Sequence, residues 1–216
     1  MKKAVTLLSG GLDSATTLFY AKKKGYEVYC LTFDYGQRHR KEIKSAVSIA
    51  RRAGCKYQII KIKLPWKGSA LLDKRISIPK RGASGIPVTY VAGRNTIFLS
   101  FALSFAETIG ARDIFIGANA VDFSGYPDCR PGYYKVFNKL SRLATKTGVE
   151  GKAIKIHTPL INKTKKEIVL LAKKIKVPLE LTWSCYRGTG KPCGACDSCR
   201  LRSKGFKQAN IKDPAI

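Results

Sequence analysis

The chain has 216 residues and carries 41 Lys and Arg against 14 Asp and Glu, for a formal net charge of +27. Charged residues total an ordinary 25%, with 44% hydrophobic and 10% aromatic residues, so a disordered basic tail is excluded and a real core is affordable within one large domain. No apolar run reaches the ~18 residues of a membrane span, and the signal-like start ends at Leu8 with Asp13 soon after, so a cytoplasmic protein is expected.

Residues 4–8 read as a strand that ends in Ser9-Gly10-Gly11-Leu12-Asp13-Ser14. From Ser14 the pattern turns helical, with Ala15, Leu18 and Phe19 on one face and Gly25 as the stop. Residues 28–33 form a second strand. Ile43, Ala46, Val47 and Ala50 then recur at helical spacing before Gly54, and residues 58–62 give a third strand. Residues 63–88, rich in Gly, Pro and basic side chains, read as a long loop of the kind that often serves as a lid. Asn95 reads as the N-cap of a helix over 96–109, apolar on nearly every side and therefore buried, with Gly110 closing it. Residues 113–117 make a fourth strand, 119–132 a polar loop, 136–144 a helix and 153–156 a fifth strand. Thr164 and Glu167 spell a capping box ahead of a helix carrying Ile168, Leu171, Ala172 and Ile175.

Strands alternating with helices imply an α/β, Rossmann-like parallel five-stranded sheet flanked by helices. Ligands of such sheets bind beyond the C-terminal strand ends, where residues 9–14, 33–39 and 119–132 lie. In the first of these loops, two glycines let backbone approach a ligand, and free N–H groups at a helix start favour an anion. Ser9 and Ser14 add hydroxyls. No Gly-Lys-Ser/Thr follows and the G-x-G-x-x-G spacing is absent, which excludes a Walker loop and a dinucleotide fingerprint.

Seven cysteines are present, and four of them, Cys185, Cys193, Cys196 and Cys199, follow C-x₇-C-x₂-C-x₂-C spacing in a polar segment. Such clustering suggests metal ligation and not a secreted disulfide framework. Four thiolates with no open position fit one structural zinc, while a [4Fe–4S] cluster is the competing reading. Residues 1–180 are expected to form the nucleotide-binding domain and 181–216 a small C-terminal zinc-binding knuckle.

The string SGGLDS resembles the motif of the PP-loop ATP pyrophosphatase superfamily, whose members cleave ATP between the α and β phosphates to adenylate a substrate. Four further strings follow in order: FDYGQRH (33–39), YVAGRN (90–95), DFSGYPDCRP (122–131) and PCGACDSC (192–199), with the tail GFKQANIKDP (205–214) after them. Together they resemble the 7-cyano-7-deazaguanine synthase family of queuosine and archaeosine biosynthesis, over nearly the whole chain. Two departures are visible: Ala92 replaces the family's usual Pro, and Asn210 stands where Gly is frequent.

The resemblance implies that 7-carboxy-7-deazaguanine and ammonia are joined at the expense of two ATP, giving an amide and then a nitrile with two AMP and two pyrophosphates. It implies an ATP site over Leu8, Ser9, Gly10, Gly11, Leu12, Asp13, Ser14, Ala15, Thr16, Thr17 and Leu18, with Arg94 and Asn95 also near nucleotide or substrate. Asp13, Ser14 and Lys165 are the implied catalytic residues, Asp13 as helper to a Mg²⁺ that accompanies ATP. Lys165 has a competing reading as a solvated helix start. Asp122, Tyr126, Asp128 and Arg130 are expected at the substrate, an acid holding the guanine-like N–H edge and Arg130 forking onto the carboxylate. His39 has a place near the site, and His157 reads as structural. A homodimer is compatible with the sequence, and no nucleic acid is obligatory. The alternative is a PP-loop enzyme that modifies tRNA directly, which the positive charge invites.

Overall fold

The computed structural model describes residues 1–79, 85–121, 125–188 and 190–215. Five strands, β1 (Lys2–Leu7), β2 (Tyr26–Asp34), β3 (Lys56–Lys61), β4 (Asp113–Ile116) and β5 (Lys155–His157), form one sheet in the order β3-β2-β1-β4-β5. Every adjacent pair is parallel. The helices between and after them are α1 (Leu12–Lys23), α2 (Lys41–Arg52), α3 (Arg94–Thr108), α4 (Pro131–Ala144), α5 (Lys146–Val149), α6 (Lys165–Lys174) and α7 (Asp197–Gln208). The five-stranded α/β sheet read from the alternation of strands and helices is therefore the observed one.

β1 lies at the sheet centre, and its side chains alternate between two cores. Ala4 joins Leu18, Ile49, Ile168 and Phe206 on one face. Val5 joins Leu31, Leu99, Ile114 and Phe137 on the other. Thus α1, α2, α6 and α7 cover one side, and α3 and α4 the other. Because strand order reverses at β1, the loops after β1 and β4 diverge and leave a crevice at the C-terminal strand ends.

Several local expectations need correction. Helix α1 starts at Leu12, two residues before Ser14, because Gly11 in extended conformation is its N-cap. Helix α3 is capped by Gly93 at φ 60 and not by Asn95, which sits inside the first turn. Nor is α3 buried all round. Thr96, Ser100, Phe101, Ser104 and Thr108 are exposed, and the hydroxyls of Ser100 and Thr108 donate to the carbonyls of Thr96 and Ser104. Small hydroxyl residues four apart can satisfy themselves on their own helix, so the stripe needs no partner. The expected stops at Gly25, Gly54 and Gly110 all take positive φ, as does Asn210 at φ 54. Both halves of the Thr164–Glu167 capping box form.

No helix or strand lies between Lys61 and Arg94 among the described residues, as the composition of 63–88 anticipated. The Arg38 guanidinium fastens this loop by donating to the carbonyls of Ala70, Lys74 and Ile76 at 2.9–3.0 Å. Sequence patterning missed α7, whose buried face is short and whose Arg202 looks like a surface residue. Instead Arg202 is buried and bidentate on Asp213 at 2.6 and 2.8 Å, with Thr182 Oγ1 at 2.8 Å. That pair holds the C-terminal tail against the domain.

Candidate active site

The turn after β1 is built for close approach. Gly10 has φ 84, and a Cβ there would sit 2.3 Å from the Glu42 carbonyl oxygen of α2. Gly117, just past β4, is equally constrained: a Cβ would lie 2.8 Å from the Asp13 carbonyl carbon and the Ser14 nitrogen. Ser14 Oγ lies 3.0 Å from Ser9 Oγ, donates to the Gly11 carbonyl at 3.1 Å and accepts the Ser9 N–H at 3.2 Å. The loop is thereby closed on itself, with the first N–H groups of α1 at its rim. Such groups have no helical partner and carry the positive end of the dipole.

Above this turn opens a cavity of about 310 Å³ at the C-terminal strand ends. Leu8, Ser9, Gly11, Leu12, Asp13, Ser14, Arg94, Asn95, Tyr126 and Lys165 all line it. These residues span 157 positions of sequence between Leu8 and Lys165, so the fold brings together what the motifs only listed in order. Lys165 Nζ donates to Asp13 Oδ2 at 2.8 Å and Oδ1 at 3.1 Å, with the lysine side chain only 14% exposed. The solvated-helix-start alternative for Lys165 is therefore set aside. Arg94 donates to the Tyr35 hydroxyl at 3.2 Å. Burial raises the Tyr35 and Tyr186 hydroxyls above their ordinary range.

Other expected residues fall elsewhere. Ala15, Thr16, Thr17 and Leu18 are buried inside α1 and support the loop from behind. Gly10 faces α2. Asp128 is buried off the cavity wall, and its Oδ2 accepts the Asn95 N–H at 3.1 Å while its carbonyl accepts from Asn95 Nδ2 and the Tyr134 hydroxyl. It caps α3 in the place predicted for Asn95. Arg130 is exposed, sits at the N-cap of α4 and does not line the cavity either. Asp122 lies outside the described residues. Tyr126 reaches the cavity, with its hydroxyl 2.8 Å from Thr89 Oγ1. Cys129 also lines it, and burial and neighbouring Asp128 push its thiol up to about 11, which disfavours the thiolate. His39 borders the cavity, with burial lowering its pKa. His157 is structural as expected: it stacks on Phe115 and bonds Asp113 Oδ1 at 2.6 Å at the start of β4.

Of the cavity residues that escaped the sequence reading, four stand out. Glu42 opens α2 and faces the cavity, and burial pushes its carboxyl up to about 7 against the opposing pull of Arg94. Tyr35 and Arg38 belong to the FDYGQRH string at the end of β2, so their position was a usable signal. Trp183 carried none: its backbone N–H donates to the Gly10 carbonyl at 2.9 Å, tying the C-terminal segment to the loop after β1.

The ligand atoms of Cys185, Cys193, Cys196 and Cys199 lie within 4.8 Å of one another, a set that can hold one metal ion. Cys196 is the N-cap of α7 and Cys199 lies in its first turn, where the helix dipole favours thiolate. The Cys196 and Cys193 N–H groups donate to Cys193 and Cys185 sulfurs at 3.4 Å, a pattern that also stabilises negative sulfur. All four donors are sulfur, matching a soft, tetrahedral ion.

A family model described as queuosine biosynthesis protein QueC matches residues 3–210. Relatives include the 7-cyano-7-deazaguanine synthase of Acetivibrio thermocellus, 56% identical over 215 residues covering 99% of this chain and 96% of the relative. That of Saccharophagus degradans is 54% identical over 217 residues, again covering 99% and 96%. Among solved structures of the same fold is a 4-thiouridine synthetase in complex with RNA and bound ATP, at TM-score 0.52 and 22% identity over 97% of this chain and 50% of that one. A predicted subunit of tRNA methyltransferase from Methanocaldococcus jannaschii aligns at TM-score 0.52 and 17% identity, over 99% and 91%.

Proposed function

The chain belongs to the QueC family of 7-cyano-7-deazaguanine synthases, enzymes of queuosine biosynthesis, and from that premise we propose how its cavity carries out the reaction. The substrates are 7-carboxy-7-deazaguanine, ammonia and two ATP. The carboxylate oxygen attacks the α-phosphorus of ATP and expels pyrophosphate. Ammonia attacks the acyl adenylate and AMP leaves, giving the amide. The amide oxygen attacks a second ATP in the same way, and loss of AMP and protons leaves the nitrile. Each cycle thus turns a poor oxygen leaving group into AMP.

The observation that carries this reading is one cavity wall holding the closed Gly10–Ser14 turn, the Lys165–Asp13 pair and Arg94 together. The turn and the N-terminus of α1 receive the pyrophosphate, and Lys165 meets charge as it develops on the leaving group. A Mg²⁺ arriving with ATP would supply further charge neutralisation, with Asp13 the carboxylate at hand. Arg94 and Asn95, which line the same cavity, orient nucleotide or carboxylate. Tyr126 borders the heterocycle. The four cysteines hold one structural zinc. Residues 1–180 then form the nucleotide-binding unit, and 181–216 a metal-stapled subdomain anchored by Phe206.

Among the described residues no helix is long and apolar enough to cross a membrane, and four clustered thiols suit a reducing cytoplasm. The face of α4 carrying Val136, Leu140 and Leu143 leaves these side chains 65%, 44% and 79% exposed at helical spacing. We assign it to a homodimer contact. The deciding experiment incubates purified protein with ATP, ammonium and 7-carboxy-7-deazaguanine, without tRNA, and follows nitrile and AMP by mass spectrometry. AMP that forms only when tRNA is added would overturn the free-base reading.

A further inference from the structure

Two acidic side chains line the cavity among the described residues, Asp13 and Glu42. Asp13 is occupied by Lys165. Glu42 differs: no ion pair or hydrogen bond of the described residues uses its carboxylate, although it sits in the first turn of α2 beside the phosphate-type turn. Leaving a carboxylate half-dry and unpartnered is unfavourable, which is why its proton affinity rises. Arg94 is close enough to act on it electrostatically, yet the two do not join in an ion pair. The wall therefore presents a donor fork next to an acceptor, each with capacity left over.

The heterocycle of the proposed substrate has the complementary order along one edge. Its 7-carboxylate and O6 are acceptors, followed by N1–H and the 2-amino group, which are donors. An ionised carboxylate is acceptor-only and can take two neighbouring N–H groups, whereas Arg94 is donor-only. We propose that Glu42 is the specificity residue that reads the N1–H and 2-amino donors of the deazaguanine, with Arg94 serving the adjacent O6 and carboxylate. This assignment rests on the function proposed above. Among the described acids, Asp128 of the 122–131 loop is engaged by Asn95, which leaves Glu42 at the start of α2 for this role.

The test compares wild type, Glu42→Gln and Glu42→Asp with 7-carboxy-7-deazaguanine and its analogue lacking the 2-amino group. In the Gln variant KM for the heterocycle should rise about 10- to 100-fold, with KM for ATP within twofold of wild type. Wild type should disfavour the 2-deamino analogue by about 10-fold or more, and Glu42→Gln should lose much of that discrimination, because its amide has one acceptor for two neighbouring donors and sets its NH2 against the other. The Asp variant keeps two acceptors on a shorter arm, so it should bind more weakly yet still prefer the 2-amino group. A KM rise confined to ATP overturns the assignment, and so does undiminished discrimination in the Gln variant, or equal loss of discrimination in both variants. Wild-type protein that forms no nitrile from 7-carboxy-7-deazaguanine refutes the proposed function itself, a result distinct from any of these.

Discussion

Lys165 and Asp13 hold each other at 2.8 Å in a partly buried setting, and the lysine stem packs on Gly205, where an added Cβ would lie 2.6 Å from Lys165 Cγ. The ammonium is thus positioned before any ligand enters, and little of its effect is lost to reorganisation. Lys165→Ala should lower kcat/KM by about 10²–10³-fold, read in steady-state kinetics, with a small change in melting temperature because the pair is only part-buried. Glu42 titrates in the opposite sense to a paired acid. Folding raises its pKa from the ordinary 4.5 to about 7, with Arg94 opposing the rise and Tyr35 and Tyr186 as its other charged-state neighbours. Between those pH values the unfolded chain has released a proton that the folded protein retains, so the stability tied to Glu42 is full below pH 4.5 and falls as pH rises through 7. Glu42→Gln cannot ionise. Its stability gain over wild type, measured in urea from pH 4 to 9, should be near zero at pH 4 and reach at most about 3 kcal/mol above pH 8. A variant more stable than wild type but poorer in substrate binding is what a functional carboxylate predicts.

At the level of elements, the strand-turn-helix unit β1–α1, the capping box of α6 and the glycine stops were legible because each rests on local chemistry. Gly10 and Gly25 need positive φ, and Thr164 and Glu167 satisfy each other three residues apart. What stayed hidden depends on distant contacts. Nothing near Asn95 in sequence reveals that Asp128, 33 residues on, will take its N–H. Gly117 reads as a loop glycine until α1 is packed against it. Arg202 reads as one more surface cation in a chain with 41 of them. Its ion pair with Asp213 has side chains 5% and 8% exposed, and it also bonds the Leu179 and Thr182 carbonyls. Removing one partner of such a pair leaves the other charge buried. Arg202→Ala should cost about 3–5 kcal/mol in equilibrium unfolding, and Asp213→Ala a similar amount. Losses that add in the double variant would show that the two side chains do not act as a pair.

On the scale of the whole molecule, the excess charge and the site are nearly separate matters. Four Lys and Arg line the cavity: Arg38, Arg94, Lys165 and Arg202. Of these, Arg38 is bound to loop carbonyls and Arg202 to Asp213. The remaining cations are spread over a surface that also carries the apolar outer face of α4. If that face pairs two copies, Leu143→Glu should convert a dimer to a monomer in light scattering while leaving nitrile formation per chain largely intact, because α4 lies across the sheet from the phosphate-type turn.

The Trp183–Gly10 hydrogen bond and the Ser198, Leu201 and Arg202 side chains at the cavity put residues from both ends of the chain around one hole. The consequence concerns the order of events during synthesis. β1 and its turn leave the ribosome before the other strands, yet β1 is the middle strand and has neighbours on both sides only after β4 has emerged. The cavity lacks a wall until α7 has followed. A nascent chain therefore carries the Ser9–Ser14 string long before the segments that finish the pocket around it have been made.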